Sequence, residues 1–190
     1  MNMKRIVALS CAIFSLSTFA ADYKVGDRLN AEKSAKPAKA QLTTWDDLLP
    51  KGWDPMKEIK RLKLDKLQDS DPAAIEAVDK LKAMWNTAPS NSDIAGKAIR
   101  IAGFMVPLEY GKKELKEFLL VPYFGACIHV PPPPANQIIH VLPDKPVKMQ
   151  TYMDAVWVEG VIELAISKTD MGDSGYRLRA VKVEPYKEKH

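Results

Sequence analysis

The chain has 190 residues, of which 46% are hydrophobic and 27% charged, with a formal net charge of +4. That length suits one domain with a core of its own. Basic residues are scattered among acidic ones, which excludes the clustered cationic face of a nucleic-acid binder, and past the amino terminus no apolar stretch is long enough to cross a bilayer as a helix.

Lys4 and Arg5 form a short positive segment, Ile6 to Leu16 is mostly apolar, and Thr18 and Ala20 are small residues ahead of Ala21. This pattern predicts a signal peptide over residues 1–20, cleaved on export, and a periplasmic location. Losing Lys4 and Arg5 takes the net charge from +4 to +2. Ala8-Leu9-Ser10 before Cys11 leaves a lipoprotein as the alternative, and with it peripheral membrane association, although only five residues separate Cys11 from Arg5. The cleaved chain keeps a single cysteine, Cys127, so no internal disulfide can form. A solitary thiol in an oxidising compartment has to be buried, metal-bound or paired with another molecule.

Residues 21–42 show little apolar pattern and read as a flexible lead-in. A single domain over 43–185 follows, helical over 43–90 and a β-barrel over 97–185, and residues 186–190 form a charged tail ending in His190. Thr44 is placed to cap one helical turn carrying Asp46, Asp47 and Leu48, ended by Pro50, with Trp45 and Trp53 as anchors. Residues 56–86 read as helical. Ser70 or Asp71 suits a cap, Pro72 the first turn, and Ile75, Val78, Leu81 and Trp85 fall on one face expected to pack.

From residue 97 the period changes to two. Ile99 and Ile101 alternate with Arg100, and after Ala102-Gly103 the apolar set moves to Phe104, Val106 and Leu108, a shift of phase that predicts a β-bulge at the glycine. Short apolar runs follow at 118–124 and 137–142. Val156, Val158, Gly160, Ile162, Leu164 and Ile166 mark the clearest strand, and 176–183 the last. Five strands after a helical segment predict a mainly β (α+β) fold, a small five-stranded antiparallel barrel of the oligonucleotide/oligosaccharide-binding (OB) type, with a sandwich-like sheet as the alternative.

Tyr123-Phe124-Gly125-Ala126-Cys127-Ile128-His129-Val130 and the prolines Pro131, Pro132, Pro133 and Pro134 carry the chemistry. Four consecutive prolines hold the backbone near polyproline II and form either a stiff crossover or an interaction ridge. On an extended backbone Cys127 and His129 leave the same face and can share one ion. Thiolate with imidazole favours zinc, and less so copper, over calcium or magnesium. His140 is the candidate third ligand, provided that a hairpin around the prolines sets it opposite Cys127, since a slip of one residue sends it to the other face. Glu109 and Asp144 are candidate oxygen ligands. The competing reading is a buried cysteine beside polar histidines. Cys127 as a nucleophile with a histidine base is the catalytic version, but a same-strand pair suits proton transfer poorly and no catalytic motif occurs. No enzymatic activity is expected.

Thr44-Trp45-Asp46-Asp47-Leu48-Leu49-Pro50, Ile101 to Glu109, the block from Phe118 to Gln137 with its Cys-x-His-tetraproline core, and Val156-Trp157-Val158-Glu159-Gly160 together resemble an exported proteobacterial family of unknown function. The resemblance spans about residues 43–185. It implies an accessory protein, lipidated in some members, that works beside ABC transporters of the macrolide-exporter type, some of them linked to zinc homeostasis. It brings no established ligand residues, and the poor lipobox here departs from the lipidated members. Two readings follow: a periplasmic transition-metal binder serving an ABC transport system, or a non-catalytic module, free of metal, that contacts an envelope protein or transporter component.

Overall fold

The computed structural model describes residues 23–29, 40–54, 57, 60, 72–109, 111–112, 114–128, 132–151 and 153–187. The expected signal peptide with Cys11, the cap at Ser70 or Asp71, His129, Pro131 and His190 lie outside them. The elements in chain order are β1 (Gln41–Leu42), α1 (Pro72–Asn86), β2 (Ala98–Pro107), β3 (Glu114–Leu115), β4 (Phe118–Val121), β5 (Ile139–Pro143), β6 (Val147–Lys148), β7 (Ala155–Ser167) and β8 (Ser174–Pro185), with 3-10 turns at Asp46–Leu48, Ser92–Ile94 and Ala135–Gln137.

Five of these strands close on themselves. β2 pairs antiparallel with β4, β4 with β5, and β7 with both β8 and β2, while β5 and β8 run parallel. Counting only barrel strands, the order is one-two-three-five-four and back to one, the connectivity of the OB barrel. The expected mainly β barrel preceded by a helix is therefore present, with one parallel pair in it. β3 and β6 form a separate two-stranded ladder.

Alternation explains the interior. Ile99, Ile101 and Met105 from β2 meet Phe118 and Leu120 from β4 and Val158 from β7 inside the barrel. The intervening residues Phe104, Val106, Leu119 and Val121 face outward yet are buried as well, in a second apolar cluster. Residues 23–29 and 123–128 cover that outer wall: Gly26 N donates to Phe124 O at 2.9 Å, and Phe124 N to Asp27 O at 3.0 Å. Tyr23 and Phe124 meet Phe104 edge-on, at 5.1 and 5.6 Å between ring centroids. Burying an aromatic of that size contributes about 1.5–3 kcal/mol.

This cover corrects two expectations. Part of the segment read as a flexible lead-in is built into the domain, at 23–29 and at β1, which pairs with β2. There is also no bulge at Gly103: pairing with β7 runs unbroken from Ala98 to Phe104. The apolar set looked shifted because β2 is buried on both faces. Gly103 instead makes room, since a Cβ there would lie 2.9 Å from Trp45 and from Leu120. The real register shifts are on β7 against β8, between Glu159 and Gly160 and between Leu164 and Ser167.

The helical part is fastened by polar groups. The turn Asp46–Leu48 forms as predicted, with the Thr44 hydroxyl accepting from Asp47 N at 3.4 Å. Trp45 Nε1 donates to Ala102 O at 2.8 Å, and Leu48 and Ile94 extend the interior cluster. The buried Tyr176 hydroxyl donates to Leu48 O at 2.6 Å and accepts from Asn91 N at 2.5 Å. Tyr176→Phe leaves Asn91 N and Leu48 O only their longer mutual bond of 3.3 Å and should destabilise the fold by about 1 kcal/mol in a urea titration; an unchanged midpoint would show that the hydroxyl fastens nothing. On α1 the packed side is rotated from the one expected. Ala77 is buried and Ala74, Leu81, Met84 and Trp85 are half-buried, whereas Ile75 and Val78 are exposed.

Candidate functional site

The loop that carries the Cys-x-His block leaves β4 and turns at once. Gly125 adopts φ 87° and Cys127 φ 66°, so the backbone at Cys127 is left-handed, a conformation uncommon for a residue with a side chain. The same-face rule for residues two apart holds only in extended chain. The extended backbone on which that pairing was expected is therefore absent at Cys127, and His129 itself lies outside the described residues.

Cys127 is half-buried against the second apolar cluster. Burial pushes its thiol up to about 12. A thiolate ligand must first lose its proton, and these surroundings oppose that loss, so the donor set fits a metal poorly at the sulfur. At pH 8 only about one thiol in ten thousand would be ionised. Iodoacetamide should accordingly modify native Cys127 at least a hundredfold more slowly than the urea-unfolded chain, as read by mass spectrometry. Equal rates would rule out the raised value.

His140 is elsewhere. The β4–β5 register sets it opposite Leu119, with Cys127 beyond the end of the ladder. It is 9% exposed. Its Nε2 lies 2.8 Å from Glu117 Oε2 and its Nδ1 3.1 Å from Ser167 Oγ. Glu109 sits exposed beyond β2 in an ion pair with Lys112, and Asp144 is exposed after β5. Among the described residues no three His, Cys, Asp or Glu side chains gather around a common point. Of the tetraproline segment, Pro133 is buried and Pro132 and Pro134 are half-buried. A Cβ on Gly172 would lie 3.0 Å from Pro132, so Pro132 packs under the β7–β8 turn.

The chain matches the family described as a protein of unknown function, DUF3299, over residues 45–185. It belongs to that family. A crystal structure of a DUF3299 family protein from Pseudomonas aeruginosa PAO1 is similar to it, at 34% identity and a TM-score of 0.62, covering 80% of this chain and 100% of that one. No curated protein matches the chain. For this DUF3299 chain, Glu117 and Ser167 are the polar partners that sequence reading missed. They stand 23 and 27 residues from His140, in a charged turn and at a strand end, where neither spacing nor periodicity singles them out.

Proposed function

We propose that this chain is an exported accessory protein that works in the periplasm as an interaction module, docking onto an envelope protein of a transport system without a resident metal. One observation carries the reading. The β7–β8 ribbon exposes four large apolar side chains, Ile166 at 76%, Val181 at 65%, Leu164 at 46% and Val161 at 39%. Leu164 and Ile166 lie two apart near the end of β7, and exposed apolar side chains grouped in this way mark protein contacts. The Glu163–Arg179 ion pair (2.9 Å) lies beside Val161 and adds charge at the rim. The partner expected is a protein with an apolar segment flanked by charge, in the manner of an interface core with a polar rim.

A photo-crosslinking residue placed at Ile166 or Val181 in the full chain should trap the same envelope protein from both positions, and should still do so in the presence of a chelator. A probe at Lys82, on exposed α1, should not. Traps that are absent, or equally strong at Lys82, would reject the docking role.

Metal handling is the second reading; the free Cys127 thiol two residues before His129 motivates it, and the burial that keeps that thiol protonated opposes it. Titration with zinc and with Cu(I) tests it, and unchanged affinity in Cys127→Ser and His129→Ala variants would end it.

A further inference from the structure

We infer that Glu117, His140 and Ser167 form a nucleophile–base array for acyl transfer, with Ser167 Oγ as the attacking atom, and that the chain hydrolyses small carboxylic esters there. This goes beyond docking and revises the expectation, drawn from the absence of motifs, that no catalysis occurs.

The tautomer follows from the contacts. A carboxylate can only accept, so the imidazole nitrogen 2.8 Å from Glu117, Nε2, carries the hydrogen. With the ring neutral, that leaves a lone pair on Nδ1, into which the Ser167 hydroxyl 3.1 Å away can donate. A hydroxyl held on a base that a third group orients is the arrangement of an activated nucleophile.

The place in the fold agrees. β4 and β5 are the second and third barrel strands. Glu117 ends the connection from the first strand to the second, and Ser167 begins the connection from the fourth to the fifth. Barrels of this connectivity bind ligands on the wall between those two connections. The register shift between Leu164 and Ser167 is the kind of irregularity that re-aims a side chain near an active site. Arg177 stands directly across the β5–β8 ladder from His140. Its Nε is buried and has no hydrogen-bond partner among the described residues, so an unsatisfied cationic donor sits at the ladder position next to the imidazole. His140 is largely shielded, while Ser167 is half-buried and the Glu117 side chain is 46% exposed, so a small substrate can reach the hydroxyl.

In the first half-reaction Ser167 Oγ bonds to the ester carbonyl carbon, its proton passes to His140 Nδ1, and the carbonyl electron pair moves to oxygen. Collapse breaks the bond to the leaving alkoxide, which takes the proton from Nδ1 and departs as the alcohol. Water, deprotonated by the same nitrogen, then attacks the acyl-serine, releases the carboxylic acid and returns Ser167. The balance is ester plus water to acid plus alcohol, with no other reactant.

The purified chain should release p-nitrophenolate from p-nitrophenyl acetate and take up one alkyl fluorophosphonate, with the adduct mapped to Ser167 by mass spectrometry. Ser167→Ala should abolish both, and His140→Gln should slow labelling about a hundredfold. Glu117 is a positioning residue: Glu117→Gln should slow labelling, and Glu117→Asp should restore part of the rate at an unchanged melting temperature. Absence of the Ser167 adduct, or labelling indifferent to His140→Gln, overturns the proposal. If His140→Gln does not fold, the exposed Glu117→Gln decides, because labelling that it leaves unchanged is equally fatal. None of these outcomes bears on crosslinking from Ile166 and Val181.

Discussion

Gly160→Ala should leave the barrel unable to close, with a melting temperature lower by about 10 °C or more, or with no soluble protein. Gly160 lies on β7 at the register shift against β8, paired with Ala180. A Cβ there would stand 2.1 Å from Arg179 O, 2.8 Å from Arg179 C and 2.9 Å from Ala180 Cα. All three are backbone atoms, so no side-chain rotation relieves the contact. Only separation of β7 from β8 can do so, and that gives up ladder hydrogen bonds. Overpacking a core typically costs about 1–3 kcal/mol, and a clash with backbone belongs at the top of that range or above it. For a domain of this size each kcal/mol moves the midpoint by about 2–4 °C. Thermal melting by circular dichroism measures the effect, and a midpoint within about 2 °C of the parent would contradict the close approach.

Arg100→Met should cost about 3 kcal/mol and should also remove part of the dependence of stability on acid. Arg100 is 3% exposed on the outer face of β2. Its guanidinium pairs with Glu184 at 2.7 Å and Glu159 at 3.5 Å and lies 4.6 Å from the Trp157 ring centroid. Methionine keeps most of the stem's packing but removes the cation between Glu159 and Glu184, leaving Glu184 only its outer partner Lys182 at 2.8 Å. Breaking a buried pair by removing one member costs about 3–5 kcal/mol. Because the glutamates are partly exposed, water screens them and the lower end applies. Changing all three together, Arg100→Met with Glu159→Gln and Glu184→Gln, should recover most of the loss.

Lys182 first, and then Arg100, hold the Glu184 carboxyl below the usual glutamate range. A depressed folded value means stability that is present above the unfolded glutamate value and lost as pH falls through the folded one. The parent should therefore lose stability steeply below about pH 4, and Arg100→Met less so. Urea midpoints taken across that range check the sign, and parallel curves would refute it.

Much of the barrel was legible because alternation on β7 and β8 is a property of the strands alone. Val158 and Ile162 must face one way and Glu159 and Glu163 the other, whatever they meet. β2 was harder to read. With Ile101 inward and Phe104 outward both buried, its periodicity mimicked a bulge at Gly103, and only the covering segments 23–29 and 123–128 explain the pattern. The expected metal cluster was hard to read for a related reason. Placing Cys127 beside His129 assumed extended chain, and nothing about a cysteine announces a positive φ. Setting His140 opposite Cys127 required a register that β4 and β5 do not adopt.

Local residue order by itself determined the five longer strands, a helical segment before them and the turn after Thr44, because hydrogen-bond geometry and side-chain alternation act between near neighbours. Closure into a barrel rather than a sandwich-like sheet was decided by the pairing of the first strand with the fourth. Tertiary structure alone decided which polar groups meet. Glu117, His140 and Ser167 come from three separate segments, and their contacts depend on how strands slide past one another during closure, a displacement that short-range spacing does not encode.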